Sequence, residues 1–384
     1  MHIEQKEGKL YMRSGNGYLR CGLTTGSCAA LAASGAAMLL LGEKKPETLR
    51  LVTPKGIPVQ VRPEELRMEG EKAFCAVRKD AGDDPDVTDG MLVAASVCRT
   101  ECGLEIRGGE GVGTVTKPGL DQPVGEAAIN SVPRRMIREA LETVCEELGY
   151  PGGLRVTIVI PEGEKIAART FNPALGIEGG LSVLGTSGIV EPMSEQALLD
   201  TIALEIRQKA CEGDGRLILT PGNYGSDYLD SREGSLSTVP RVRCSNYIGD
   251  AIDMATAEGL REVLLVGHVG KLVKLAAGIM QTHSRVADGR REIFCAHAAR
   301  SGAGKEICTR IMDQVTTDGC LEILEEAGLR EPVMAGILSA AQEHLDRRAG
   351  ERVAIGALMF SNQYGTLGMT AAARELVERW ERQN

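Results

Sequence analysis

The sequence predicts two unlike halves: an α+β domain over residues 1–190, then an α/β, Rossmann-like domain with a mostly parallel sheet over residues 191–384. Three observations predict this. A chain of 384 residues that is 43% hydrophobic is longer than one ordinary core requires. Ahead of residue 160, strand-like segments are grouped and helices are few. Past residue 190, short apolar strands alternate with helical segments, the pattern of a parallel sheet covered on both faces.

Element by element, the hydroxyl-rich turn Thr24-Thr25-Gly26-Ser27 opens a helix that stops at Gly42. Ser27 or a neighbouring threonine supplies the cap. The body of this helix is small (Ala29, Ala30, Ala32, Ala33, Ala36, Ala37), so it can approach another backbone closely. Residues 49–61 read as strand, Pro54-Lys55-Gly56 turn and strand, and 73–77 as a further strand. The acidic run 79–88 is a loop, and short strands return near 91–97, 103–106 and 111–116. A helix over 133–148 follows from Met136, Ile137, Ala140, Leu141, Val144 and Leu148 at three- and four-residue steps, with Pro133 at its start and Gly149 at its stop. Its successor, 154–160, is a strand by β-branched density. The glycine-rich stretch 171–192 is irregular, and loops of that length are functional or linking.

In the second half, Ser194 caps a helix to about 211, and 217–220 is a strand that ends in Pro221-Gly222-Asn223-Tyr224-Gly225. A helix near 250–258 precedes the buried strand 262–266, which runs into Gly267-His268-Val269-Gly270 and a helix over 271–280. Three helical segments fill 305–348. The strand 353–360 and a closing helix, 370–380, finish the chain.

Composition narrows the function. The formal charge of −9 (44 basic, 53 acidic residues) and a 3% aromatic content argue against nucleic-acid partners and anionic membranes. Eleven cysteines without a CxxC pair predict free thiols in a reducing cytoplasm rather than a disulfide frame or a zinc finger. Residues 1–17 are polar and lack the apolar core of a signal peptide, and the apolar run 28–41 is too short for a membrane span. No resident metal site is expected.

Ligands of open α/β sheets sit past the carboxyl ends of the strands. Three such ends combine glycine with polar groups: 220–225, 267–271 and Ser361-Asn362-Gln363-Tyr364-Gly365. Taken alone, each is equally an ordinary strand-to-helix turn. GxxxxGK[ST], GxSxG and HExxH are absent, as is a GxGxxG that follows a strand. Gly108-Gly109-Glu110-Gly111-Val112-Gly113 reads as a hairpin turn. His283 and Arg285, with Arg290 and Arg291 behind them, form either a carboxylate-binding cluster or a solvated basic loop. His297 reads as a packed histidine. Asp83, Asp84 and Asp86 are the one dense carboxylate group, with a solvated turn as its plain reading and a metal or a general base as the chemical one.

Thr24-Thr25-Gly26-Ser27-Cys28, the run Lys79 to Asp86, Asn172-Pro173-Ala174-Leu175-Gly176-Ile177-Glu178-Gly179-Gly180 and Leu184-Gly185-Thr186-Ser187-Gly188-Ile189-Val190 together resemble one family, as do Gly222-Asn223-Tyr224-Gly225 and Gly267 to Leu272. These blocks, in order from about residue 20 to 370, are similar to the cobalt-precorrin-5B (C-1)-methyltransferases of anaerobic cobalamin biosynthesis, the CbiD type. Ser27 stands where threonine is more usual and keeps the hydroxyl. The resemblance implies methyl transfer from S-adenosylmethionine to C-1 of cobalt-precorrin-5B, giving cobalt-precorrin-6A, with cobalt present only as part of the tetrapyrrole substrate. It names no catalytic side chain.

From the chemistry of donor and substrate, the methyl donor is expected at Thr220, Gly222, Asn223, Gly225, Gly267, His268 and Gly270. The acidic macrocycle is expected at Thr24, Thr25, Ser27, Thr186, Ser187, Lys271, His283, Arg285, Arg290 and Arg291, with Arg134, Arg135 and Lys274 as further clamps. The alternatives are a nucleotide-handling transferase of another substrate class and a non-catalytic binding protein.

Overall fold

In the computed structural model, which describes residues 3–6, 8–14, 17–42, 45–231 and 235–383, the first helix spans Thr25–Gly42. A helix apolar on every side belongs in a core. All six of its alanines from Ala29 to Ala37 are fully buried. It is also the one helix among the described residues long and apolar enough to cross a membrane, and 83% of that stretch lies buried inside the protein.

The chain divides into two units, Met1–Glu195 and Gln196–Asn384. Both mix helix and sheet. Unit 1 holds a five-stranded sheet in the order Leu104–Gly108, Gly153–Val159, Leu92–Thr100, Lys72–Arg78, Glu65–Glu69. The first pair is parallel and the others antiparallel. The Thr25–Gly42 helix packs on this sheet and on the Ser131–Glu147 helix, whose buried side is Met136, Ile137, Leu141 and Val144. The 49–61 hairpin is present as Leu49–Val52 paired with Pro58–Val61.

Several expectations are corrected in unit 1. Within the 1–17 stretch, residues 1, 2, 7, 15 and 16 lie outside the described residues. The remainder joins an antiparallel meander, Ile3–Lys6, Lys9–Ser14 and Gly17–Arg20, which its polar composition concealed. Residues 108–113 are not a hairpin turn. They are a crossing where backbones touch: a Cβ on Gly180 would lie 2.3 Å from the Gly111 carbonyl oxygen, and one on Gly163 equally close. Only glycine admits that approach.

The acidic run 79–88 is a braced loop rather than a solvated turn. Lys79, 2% exposed, donates to Asp86 Oδ2 at 2.6 Å, and the other Asp86 oxygen accepts from the Thr88 amide and hydroxyl. Burial alone would raise the Asp86 carboxyl, but the Lys79 ammonium and these hydrogen bonds outweigh it and hold it below the usual range. Asp83 accepts from the Arg20 amide, and Asp84 from the Met193 amide. The three carboxylates are fastening groups.

Unit 2 contains a five-stranded sheet in the order Arg241–Arg243, Arg216–Thr220, Glu262–His268, Ala354–Ser361, Gly365–Met369. The first three pairings are parallel and the last antiparallel. Period-2 alternation splits its side chains between two cores. Leu217, Leu219, Val263, Leu265, Ile355, Ala357 and Met359 face the larger one, with the Ile248–Ala257 and Arg330–Ala349 helices. Ile218, Leu264, Val266, Leu358 and Phe360 face the other, closed by Leu376 and the fully buried Trp380 of the Ala371–Gln383 helix.

Two readings change here. The helix expected over 271–280 is one α turn, Val269–Leu272, followed by a 3-10 segment, Val273–Ala277, which ends at Gly278 with φ 74°. The loop expected to carry Arg290 and Arg291 gives way to a helix, Arg290–Arg300.

The first helix offers a test of packing against propensity. Gly35→Ala should gain up to about 1 kcal/mol from helix propensity. Its new Cβ, however, would lie 2.8 Å from Cys75 Sγ and 2.9 Å from Leu49 Cδ2, both fully buried. Overpacking costs about 1–3 kcal/mol, so net destabilisation is expected. Gly42→Ala, whose Cβ would meet only Leu148 at 3.5 Å, should be neutral or mildly stabilising. Urea unfolding of the two variants measures the difference.

Candidate functional site

The carboxyl edge of the unit-2 sheet brings three turns together. Parallel pairing sets His268 beside Phe360, and Leu219 beside Leu265, so the ends of the 216–220, 262–268 and 354–361 strands emerge side by side. The third is not a strand-to-helix turn as expected, because 362–364 is the tip of a β-hairpin. It still lies at the same edge. Ser361 Oγ there donates to Asp318 Oδ1 at 2.7 Å and accepts from the amides of Gln363 and Tyr364.

His268 terminates its strand and caps the short helix behind it, its Nδ1 accepting from the Gly270 amide at 3.1 Å. That acceptor requires a neutral ring with its proton on Nε2. Burial lowers the His268 pKa from 6.5, against a smaller upward pull from Asp318. Lys271 is half-buried nearby. Its Nζ donates to the Ser245 carbonyl at 3.3 Å, and burial lowers its pKa as well.

The glycines of this edge fall into two kinds. A Cβ on Gly225 would lie 2.6 Å from the Val266 carbonyl oxygen, and one on Gly267 2.7 Å from Pro221 Cγ, so these two are glycines for packing. Gly222, at φ 98°, would meet only Lys271 Nζ at 3.3 Å, and Gly270 would meet His268 Nδ1 at 3.2 Å. Thr220 is fully buried, its hydroxyl beside Ser226 Oγ. Of the seven residues expected at the methyl donor, Gly222, Asn223, His268 and Gly270 reach the surface, and Thr220, Gly225 and Gly267 frame them.

Behind Gly270 stands the Thr317–Glu326 helix, capped by the Thr316 hydroxyl accepting from the Gly319 amide at 3.1 Å. Thr317 lies 3.7 Å from a Cβ placed on Gly270 and also lines a pocket of about 240 Å³ with Asp288, Arg290, Arg291, Thr316 and Cys320. Arg290 grips Asp288 through both carboxylate oxygens and pulls that carboxyl down to about 2. Arg291 is exposed and donates to the Met312 carbonyl at 2.9 Å. His283 and Arg285 are exposed on the preceding loop, with His283 Nδ1 accepting from the Arg285 amide.

Other expected clamps are committed elsewhere. Lys274, 1% exposed, donates to the carbonyls of Thr282 and Ala287 and so ties down the loop below the arginines. Arg134 donates to the Ile129 carbonyl at 2.8 Å and reaches those of Ala127 and Ile106. Arg135 is exposed, 3.9 Å from Glu139.

In unit 1 the hydroxyl blocks meet at the start of the first helix, but mainly to serve one another. Thr24 Oγ1 is the cap, accepting from the Ser27 amide at 3.2 Å. Ser27 Oγ donates to the Gly188 carbonyl at 2.6 Å, and the Gly26 amide donates to the Leu184 carbonyl. Thr24, Thr25 and Ser27 are buried, which removes their hydroxyls from reach of a ligand. Ser187 is half-buried on its own loop, and Thr186 is exposed. Among the described residues, no group of three or more His, Cys, Asp or Glu is placed to hold a metal ion.

Comparison with known proteins matches residues 12–192 to CbiD and residues 281–371 to the CbiD C-terminal domain. A relative from Ruminiclostridium cellulolyticum, named cobalt-precorrin-5B C(1)-methyltransferase, is 50% identical over 90% of this chain and 89% of its own. The chain belongs to the CbiD family. A second CbiD relative of the same name, from Alkaliphilus metalliredigens, is 40% identical over 94% of each chain. A crystal structure of the cobalamin biosynthesis protein CbiD from Archaeoglobus fulgidus is 30% identical, covers 73% of this chain and 87% of that one, and aligns with a TM-score of 0.40. In this CbiD chain the turns 221–225 and 267–271 fall between the two matched segments, and the arginine pocket and Ser361 fall inside the second.

The sequence concealed two members of the edge, Asp318 and Thr317, which open a helix far along the chain from Ser361 and Gly270. Tyr224 was readable as the aromatic residue in the 222–225 block, although only the structure sets its ring 5.9 Å from that of His268.

A pH prediction follows from His268. Because folding lowers its pKa, its contribution to stability is complete above 6.5 and is lost as pH falls through the folded value. His268→Asn keeps a capping acceptor and removes the titration. Between about pH 8 and about pH 5.5, wild type should therefore lose more unfolding free energy than the variant. Equal losses in urea titrations would show that burial of His268 is not felt.

Proposed function

We propose that this chain methylates C-1 of cobalt-precorrin-5B, forming cobalt-precorrin-6A, with S-adenosylmethionine as methyl donor and cobalt entering only with the substrate. The observation that carries this reading is 50% identity across 90% of the chain to a relative named for that reaction. Eleven free thiols suit a reducing cytoplasm. The parallel strands of unit 2 support a Rossmann-like reading of that unit, with the donor at its carboxyl edge.

The residues present fit such a donor. Gly222 and Gly270 leave backbone open where a Cβ would intrude, and Lys271 offers an ammonium to a carboxylate. S-adenosylmethionine supplies a methyl group already activated on a sulfonium. The protein's part is then alignment and exclusion of water, and alignment alone is worth roughly 7–11 kcal/mol in favourable cases. His268 has a specific part in this. Held neutral by burial and by its Gly270 hydrogen bond, it adds no positive charge to that of Lys271 beside a cationic donor. Arg291, which lines the pocket of Thr316 and Thr317, and Arg285 and His283, exposed on the preceding loop, suit the peripheral carboxylates of the substrate.

Incubating the full chain with cobalt-precorrin-5B and isotopically labelled S-adenosylmethionine should give one labelled methyl at C-1 by mass spectrometry and NMR, with no ATP consumed. Transfer to another position, or ATP turnover, would overturn the reading. Arg291→Ala should raise the substrate KM severalfold at low ionic strength, a difference that shrinks with added salt, and leave kcat nearly unchanged. Steady-state kinetics at two ionic strengths measures this.

A further inference from the structure

Aromatic side chains are scarce here: seven Tyr, four Phe and one Trp in 384 residues. Three of them nevertheless gather with His268 at the carboxyl edge of the unit-2 sheet. Phe360 stacks on Tyr228 at 4.1 Å and meets the His268 ring edge-on at 5.8 Å. Both contacts are fixed from behind, since Phe360 is 1% exposed and the Tyr228 hydroxyl lies 2.6 Å from Thr366 Oγ1. Tyr224 completes the row, its ring tilted 46° against His268, and it is 62% exposed. The row thus runs from a buried ring to an open one.

The open ring stands where the backbone is barest. Tyr224 lies in the first turn of the Asn223–Asp230 helix, directly after Gly222, whose φ of 98° and missing Cβ leave the chain accessible beside Lys271. A core has no use for a ring that is mostly in water, whereas a planar ligand does. We infer that Tyr224 is the stacking platform for the adenine of the methyl donor, supported from behind by neutral His268 and the buried Phe360–Tyr228 stack.

This rests on the reading that the donor occupies the carboxyl edge. Adenine is the preferred occupant for reasons of size and charge. One tyrosine face matches a purine, and stacking on it needs no charged partner. The macrocycle is wider than one ring, and its carboxylates call for the arginines around Thr316 and Thr317.

Calorimetric titration of the full chain with S-adenosylhomocysteine tests the platform without turnover. Tyr224→Ala should weaken binding about tenfold or more, and Tyr224→Phe should retain it. In Tyr224→Trp the introduced indole should be quenched by the ligand, against a constant signal from Trp380, which is fully buried. Thermal unfolding of all three should match wild type, as expected for an exposed position. If wild type binds and Tyr224→Ala binds within about twofold of it, the platform is wrong and the donor reading stands. If Tyr224→Ala loses affinity for dicyanocobyrinic acid, whose peripheral groups are free carboxylates, but not for S-adenosylhomocysteine, the ring belongs to the macrocycle and the inference fails. Wild type that binds no S-adenosylhomocysteine overturns both.

Discussion

Parallel pairing among the 216–220, 262–268 and 354–361 strands is the constraint from which the candidate site follows. Strands that run the same way leave the sheet at the same edge, so three turns distant in sequence become neighbours. Register does the finer work. His268 pairs with Phe360 and shares a parity with Leu264 and Val266, which places its ring on the face of the Phe360 core. A slip of one residue would turn every side chain of the strand over. It would bury His268 in the opposite core and break up the aromatic row. Burial of Leu264, Val266 and Leu358 therefore fixes the orientation of the polar residue that ends the strand.

Unit 1 obeys a different constraint, the closeness of its backbones. Gly22 has the Ala81 carbonyl carbon 2.3 Å from where a Cβ would stand, and Gly185 has Thr24 at 2.4 Å. At such distances the chain must satisfy its own polar groups, and it does: Ser27 to Gly188, Gly26 to Leu184, Leu23 to Asp80, Asp83 to Arg20. Blocks dense in hydroxyls and carboxylates resemble chemical sites when read as sequence. Here they are the fastenings of a joint in which the start of a buried alanine helix meets two loops.

That explains which parts were legible. The first helix is legible from its hydroxyl cap and run of alanines, the 131–147 helix from periodicity, and the buried strands from β-branched runs, signals that depend on burial and survive in sequence. The meander before residue 21 and the Arg290–Arg300 helix are polar at the surface, and they were missed. At the site, glycine positions were visible but their purposes were not. Gly222 and Gly267 look alike in sequence, and only the neighbour at 2.7 Å, Pro221 Cγ, separates a packing glycine from an open one. Cations behaved similarly. Lys271 and Lys274 are three residues apart, yet one borders the edge and the other is sealed beneath a loop with two carbonyls.

The same accounting shows how a chain of net charge −9 can present a site to an acidic ring. Part of its positive charge near the site is turned inward, with Arg290 paired to Asp288 and Lys274 sealed against two carbonyls. What faces outward is Arg291, in the pocket at the amide end of the Thr317–Glu326 helix, with His283 and Arg285 on the preceding loop and Arg243 at the sheet edge. Since the Debye length in physiological salt is about 8 Å, such charges act locally whatever the total charge. On the Gly270 side of Thr317 the field changes character. A neutral His268 and an uncharged aromatic row adjoin Lys271, with Arg243 hydrogen-bonded to the Asn223 side chain next to Tyr224. On the proposed placement, uncharged rings stand where the sulfonium would lie and the exposed arginines are left to the carboxylates of the macrocycle, the division that a reaction between an acidic ring and a cation asks of its protein.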